Sequence, residues 1–172
     1  MTMPLKSKPE HEVNTYLFYA QQLLNLKGKV SLIESQSEDM ALMASACLSL
    51  QQAWTAWLKE LSVIVGKDIV SVSALQSHEH KHHPEVQVLN ELYNNKRSWL
   101  VGLLGFCEPR LNKPSPTSTA EGEPEDVTAL SRKINLVHLE LETGLSEEER
   151  LSGVIHDFKA YITEVRGRQA EW

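Results

Sequence analysis

Met40, Met43, Cys47, Leu50, Trp54, Trp57, Leu61 and Ile64 follow one another at steps of three and four residues. On a 3.6-residue repeat that spacing lines all eight along one side of a single helix. A stripe this long is insoluble unless other helices lie against it, so it predicts a helical bundle. Ser37 stands as a capping candidate before it, Glu38 and Asp39 put negative charge at the positive end of the helix dipole, and Gly66 offers a C-terminal stop.

The same reading extends along the chain. Residues 1–9 look like a loose leader. Val13, Tyr16, Leu17, Ala20, Leu23 and Leu24 mark a first helix over about 10–35, with Gly28 a place for a kink or an end. Residues 67–83 alternate only weakly at Ile69, Val70, Ser71 and Val72, and one strand has no partner, so a loop with a turn of helix is expected. A third helix should begin at Pro84, run through Leu89, Leu92, Trp99, Leu103 and Phe106, and stop at Pro109. Residues 112–126 crowd Pro, Ser, Thr and Glu together and read as a flexible linker. Leu130, Ile134, Val137 and Leu141 mark a fourth helix closed by Gly144. A fifth opens on the capping box Ser146–Glu149 and buries Leu151, Val154, Ile155, Phe158, Ile162 and Val165. The fold class expected is all-α: a bundle of four to five helices forming one domain over 10–171, with the linker before the last two.

Composition narrows the functional classes. Of 172 residues, 41% are hydrophobic, enough for one core. The formal net charge of -6 repels phosphate backbones at long range and disfavours nucleic acid as a partner. Lys96, Arg97 and Arg110 fall close in sequence but read as a solvated face. No apolar window of about 18 residues exists, so no membrane span is expected, and the start of the chain does not read as a secretory signal. Cys47 and Cys107 both occupy apolar helical positions, which suits buried thiols in a reducing compartment and hence a cytoplasmic protein.

Three constellations could carry chemistry. The run His78-Glu79-His80-Lys81-His82-His83 contains the letters H-E-x-x-H at 78, 79 and 82, a spacing that on a helix sets two imidazoles on one face to bind zinc with Glu as base. Pro84 disfavours helical backbone at His83, and the flanks are polar, so the plain reading is a solvated loop. His78, His80, His82 and His83 are therefore weak metal candidates, taking zinc or nickel adventitiously; a metal-binding or metal-responsive protein built on this cluster is a second alternative, and no cofactor is expected. Next, Arg132–His138 and Arg150–His156 each space Arg and His by five residues, similar to the Arg-x4-6-His of helical HEPN ribonucleases, where the arginine would hold phosphate and the histidine move a proton. Six arginines and seven histidines give about one such match by chance, so catalytic use of Arg132, His138, Arg150 and His156 is only an alternative. Finally, Trp54, Trp57, Leu61 and Trp99 lie on inner stripes. Any part of helix 2 left uncovered would make Trp57 and Leu61 an anchor patch for another protein.

Two segments carry a family resemblance. Residues 14–21, Asn-Thr-Tyr-Leu-Phe-Tyr-Ala-Gln, resemble the opening of the uncharacterised bacterial helical family DUF6586. The stretch from Leu89 through Trp99-Leu100 and Leu103-Leu104 to Pro109 resembles its third helix, and 46–60 matches in character. The likeness covers roughly 10–110 and leaves out the histidine run, the linker and the last two helices. It implies a helical fold and a bacterial setting, and it implies no activity. Together these readings favour a non-enzymatic bacterial cytoplasmic protein that acts by binding another protein or itself.

Overall fold

The computed structural model describes residues 9–30, 36–77, 82–111 and 144–170, with backbone alone at 9, 29–30, 36 and 107–111. Six helices are present among them: α1 (Pro9–Val30), α2 (Gln36–Val65), α3 (Val72–Leu75), α4 (Pro84–Asn94), α5 (Trp99–Leu111) and α6 (Glu147–Ala170). No strand occurs among the described residues, and the all-α class stands. The leader, the expected linker 112–126 and the fourth helix near 130–141 lie outside the described residues.

The stripe on α2 is the spine. Met43, Cys47, Leu50, Trp54, Trp57 and Leu61 are buried and Ile64 packs at the margin, while Met40, in the opening turns of the helix, stands in solvent. α2 starts at Gln36, so Ser37 lies inside the first turn rather than ahead of it. Its other end follows the sequence. Gly66 takes φ +72, and the Lys67 N–H donates to the Ser62 carbonyl at 3.1 Å, the six-to-one bond of a left-handed glycine stop. Ser62 does more, since its Oγ accepts the Ile69 N–H at 2.8 Å and turns the chain so that Ile69 is buried. The single turn α3 follows, capped by Ser71 Oγ.

Helix order comes from pairwise contacts. Glu60 near the end of α2 meets Arg166 near the end of α6, and Arg166 also reaches Asn14 near the start of α1. Lys27 near the end of α1 pairs with Glu148 at the start of α6. So α1 runs antiparallel to α2 and α6, and those two run parallel. α5 runs antiparallel to α6, with Phe106 beside Arg150, Gly102 beside Val154, and Trp99 beside Phe158 and Tyr161. A Cβ at Gly102 would sit 2.9 Å from Val154 Cγ2, so glycine is what lets α5 and α6 come this close. α1 passes through Gly28 without ending there.

The expected third helix is two helices. Asn95 Oδ1 accepts the Arg97 N–H at 3.1 Å and Ser98 Oγ accepts the Val101 N–H at 3.3 Å, while the Ser98 hydroxyl donates to the Leu92 carbonyl. These short polar side chains give the backbone other partners, which ends α4 and restarts the chain as α5. Helical backbone also continues two residues past Pro109, to Leu111. At α6 the capping box forms as read. The Ser146 N–H donates to Glu149 Oε2 at 2.8 Å and the Glu149 N–H to Ser146 Oγ at 3.2 Å. The bonds from Ser146 hold the Glu149 carboxyl below its ordinary range, so the box persists until acid protonates it.

Candidate functional site

The richest cluster of aromatic and charged side chains lies where α2, α4, α5 and the second half of α6 meet. Trp99 stacks on Phe158 at 5.0 Å between ring centroids and 18° between planes, and Trp54 closes on both at 6.5 and 5.8 Å. Trp57 meets Tyr161 edge to face at 5.8 Å, and Tyr161 meets Trp99 at 5.4 Å. Such tilted and stacked pairs add to the burial of large apolar area.

Trp57 and Leu61 are fully buried, Trp54 nearly so and Trp99 partly. The condition for an open anchor patch on this side of α2 is therefore not met. Trp54, Trp57 and Leu61 are core, and Trp99, on α5, packs against them partly buried.

Next to this seam sit the two charged residues that are buried among those described, Glu60 on α2 and Glu85 in the first turn of α4. Each meets an arginine from the last turns of α6. Arg166 grips Glu60 with a two-pronged fork, Nε to Oε1 and Nη2 to Oε2, both 2.7 Å. Two of its three remaining N–H donors go to Asn14 Oδ1 at 2.9 Å and the Glu10 carbonyl at 3.2 Å. Arg168 grips Glu85 in the same manner at 3.1 and 2.7 Å and also pairs with Glu164. The bonds to Glu60 and Glu85 push both guanidinium groups above their ordinary pKa. A charge this far from water persists only when paired and hydrogen-bonded, and planar guanidinium is suited to the task. One helix end is thereby fastened to α1, α2 and α4 at once. Chemically the arrangement holds the bundle shut, because every carboxylate oxygen of Glu60 and Glu85 is taken.

Two buried polar atoms near the forks, Trp57 Nε1 and the Tyr161 hydroxyl, have no hydrogen-bond partner among the described residues. Burial, with the Glu85 charge nearby, pushes the Tyr161 hydroxyl well above its ordinary pKa, so it stays protonated at neutral pH. A hydroxyl without a partner contributes no stability. Tyr161→Phe is therefore expected to change the free energy of unfolding by less than about 0.5 kcal/mol, read by urea denaturation. A loss above about 1 kcal/mol would mean that the hydroxyl is bonded in solution.

The other candidates from the sequence do not converge. His78 and His80 lie outside the described residues. His82 is exposed in a turn, and His83 caps α4, its Nδ1 accepting the Glu85 N–H at 3.3 Å with ψ 130. Among the described residues no group of three His, Cys, Asp or Glu side chains is placed to share a metal ion. Arg132 and His138 lie outside the described residues. Arg150 lies over the Phe106 ring at 5.5 Å while His156 is exposed, and a step of six positions sets the two roughly 120° apart around the helix. Cys47 is a buried thiol outside any disulfide. The Cys107 side chain is not described.

One surface feature was not legible beforehand. An open groove of about 580 Å³ runs along the last turns of α2 and the loop after it, lined by Leu58, Ile69, Val63 and Val70, with Lys59 and Lys67 among its polar residues. Val70 is 83% exposed and Val63 76%, the two highest exposures among the large apolar side chains described. The weak alternation of Ile69 and Val70 was the only sequence trace: one faces in, the other out. No described helix is long and apolar enough to cross a membrane.

A family model described as a family of unknown function (DUF6586) matches residues 5–172. The match extends the likeness read at 10–110 through the linker region and the final helix. Neither a curated protein nor a solved structure matches the chain.

Proposed function

We propose, for a chain that belongs to the DUF6586 family of unknown function, that it acts by binding another protein, and that the groove beside Val63 and Val70 is where the partner sits. The carrying observation is the contrast between the two ends of the charge and apolar inventory. Glu60, Glu85, Arg166 and Arg168 are committed to holding helices together. Val63 and Val70, by contrast, stand in water on a concave surface, where burial of each would contribute about 1.5 kcal/mol or more. Lys59 and Lys67, set against the single carboxylate of Asp68 on the same groove, leave a net positive lining that suits a partner segment carrying an apolar residue with carboxylates beside it. A non-enzymatic role in a bacterial cytoplasm is part of the same reading, and the buried thiol of Cys47 fits a reducing compartment.

The test is a titration of the intact protein with a fluorescent amphipathic helical peptide bearing leucines on one face and glutamates beside them. Saturable binding is expected, weakened at least tenfold in Val63→Asp/Val70→Asp. Equal binding by wild type and variant would remove the proposal. A wild-type dimer seen by light scattering and lost in the variant would assign the groove to a second copy instead.

A further inference from the structure

We propose that two copies of this chain pair through the outward face of α2, laid antiparallel about a two-fold axis beside Leu48. On that face Ala41, Ser45, Leu48, Gln52, Thr55 and Lys59 are all exposed and fall within about 40° of one line along the helix. Positions 40–58 hold no charged residue, in a chain that is 23% charged. A solvated helix face ordinarily carries charge, as the outer face of α6 does with Asp157, Lys159 and Glu164. The hydroxyls on the α2 face are also turned back onto the helix. Ser45 donates to the Ala41 carbonyl at 2.8 Å and Thr55 to the Gln51 carbonyl at 3.0 Å. Their hydrogens are already bonded, so covering them costs little. Leu48, 47% exposed at the centre, gains from being covered.

Charge at the two ends of this face selects the occupant. Glu38, exposed in the first turn of α2, stands at one end of the uncharged stretch, and Lys59 stands at the other, about 30 Å away along the helix. Two copies laid parallel would set Glu38 against Glu38 and Lys59 against Lys59. With one copy reversed and the pair centred between Leu48 and Ser49, Lys59 of each copy meets the second copy's Glu38, so opposite charges meet at both ends. In that register Ser45 faces the second copy's Gln52, and the two Leu48 side chains lie together at the axis. The small side chains of Ala41 and Ser45 let the two helices approach closely. The same patch serves both copies, which closes the assembly at two. One helix from each copy makes a small interface, so pairing rises and falls with concentration.

Sedimentation velocity of the intact protein between about 1 µM and 1 mM tests this. A concentration-dependent dimer is expected. Leu48→Glu should stay monomeric with its helical circular dichroism intact. Lys59→Glu places like charges at both ends and should weaken pairing about tenfold, and Glu38→Lys/Lys59→Glu should restore it. Register is read by mild oxidation in a Cys107→Ser background, where Ser45→Cys/Gln52→Cys should cross-link two copies and Ser45→Cys alone should not. A monomer at every concentration would overturn the proposal. So would a dimer that tolerates Leu48→Glu, a charge-swapped variant as weak as Lys59→Glu, or cross-linking through Ser45→Cys alone. Val63 and Val70 lie beyond the last charged pair, so this dimer survives Val63→Asp/Val70→Asp, and the groove and this face can each fail alone.

Discussion

Trp57→Ala is expected to lower the free energy of unfolding by about 4 kcal/mol, the largest effect of any single substitution considered. Trp57 is 0% exposed and sits between α2 and α6, in edge-to-face contact with Tyr161, which in turn meets Trp99. Truncation removes the transfer free energy of an indole and leaves a hole whose walls come from separate helices. For a chain of this size the melting temperature should fall by roughly 10 °C or more. Trp57→Phe keeps most of the volume and removes an indole N–H that has no partner, so it should cost less than half as much. Thermal and urea melts followed by circular dichroism check both values. A loss under about 1 kcal/mol for the alanine variant would mean that the indole is not buried in solution.

Arg166→Met is the second large effect. Glu60 is 6% exposed, and its two oxygens both receive Arg166. Removing the guanidinium leaves a carboxylate without compensation inside the bundle and frees Asn14 and the Glu10 carbonyl as well. Full removal of one partner from a buried pair costs about 3–5 kcal/mol. The Arg166 side chain is 25% exposed, and water can reach the site, so a loss of about 2–3 kcal/mol is expected. The informative variant is the double one. Glu60→Met/Arg166→Met replaces a charged pair with apolar groups of similar size and should recover most of the loss, because the cost lies in the orphaned charge. Additive losses in the double variant would instead show that the pair itself supplies net stability.

Why some of this was readable in the sequence and some not follows from range. The α2 stripe, the stop at Gly66 and the Ser146–Glu149 box rest on residues a few positions apart, and each appears where spacing put it. The break between α4 and α5 is also local and was there to be read. Asn94, Asn95, Lys96, Arg97 and Ser98 form a run without an apolar residue, between Tyr93 and Trp99, and Asn and Ser in that setting compete for backbone partners. Leucine periodicity on either side concealed it. The forks lie beyond local reach. Arg166 and Glu60 are 106 positions apart and Arg168 and Glu85 are 83 apart, so no pattern in one segment names the other. A signal still existed. Glu60 falls between Trp57 and Leu61 on a buried face, and a carboxylate there demands a cation from somewhere. The tryptophans were read correctly as lying on inner stripes, but whether α5 and α6 covered them depended on helix packing, which spacing alone does not set.

The claim beneath the rest is that α5 and α6 close over the tryptophan face of α2. It is tested most directly by acrylamide quenching of tryptophan fluorescence in a Trp172→Phe background, where Trp54, Trp57 and Trp99 are the emitters. Blue-shifted emission and quenching at least fivefold weaker than in urea are expected, with fluorescence and helical circular dichroism lost in one coincident transition. Red-shifted emission with quenching equal to that of the unfolded chain, while the helical signal persists, would contradict it.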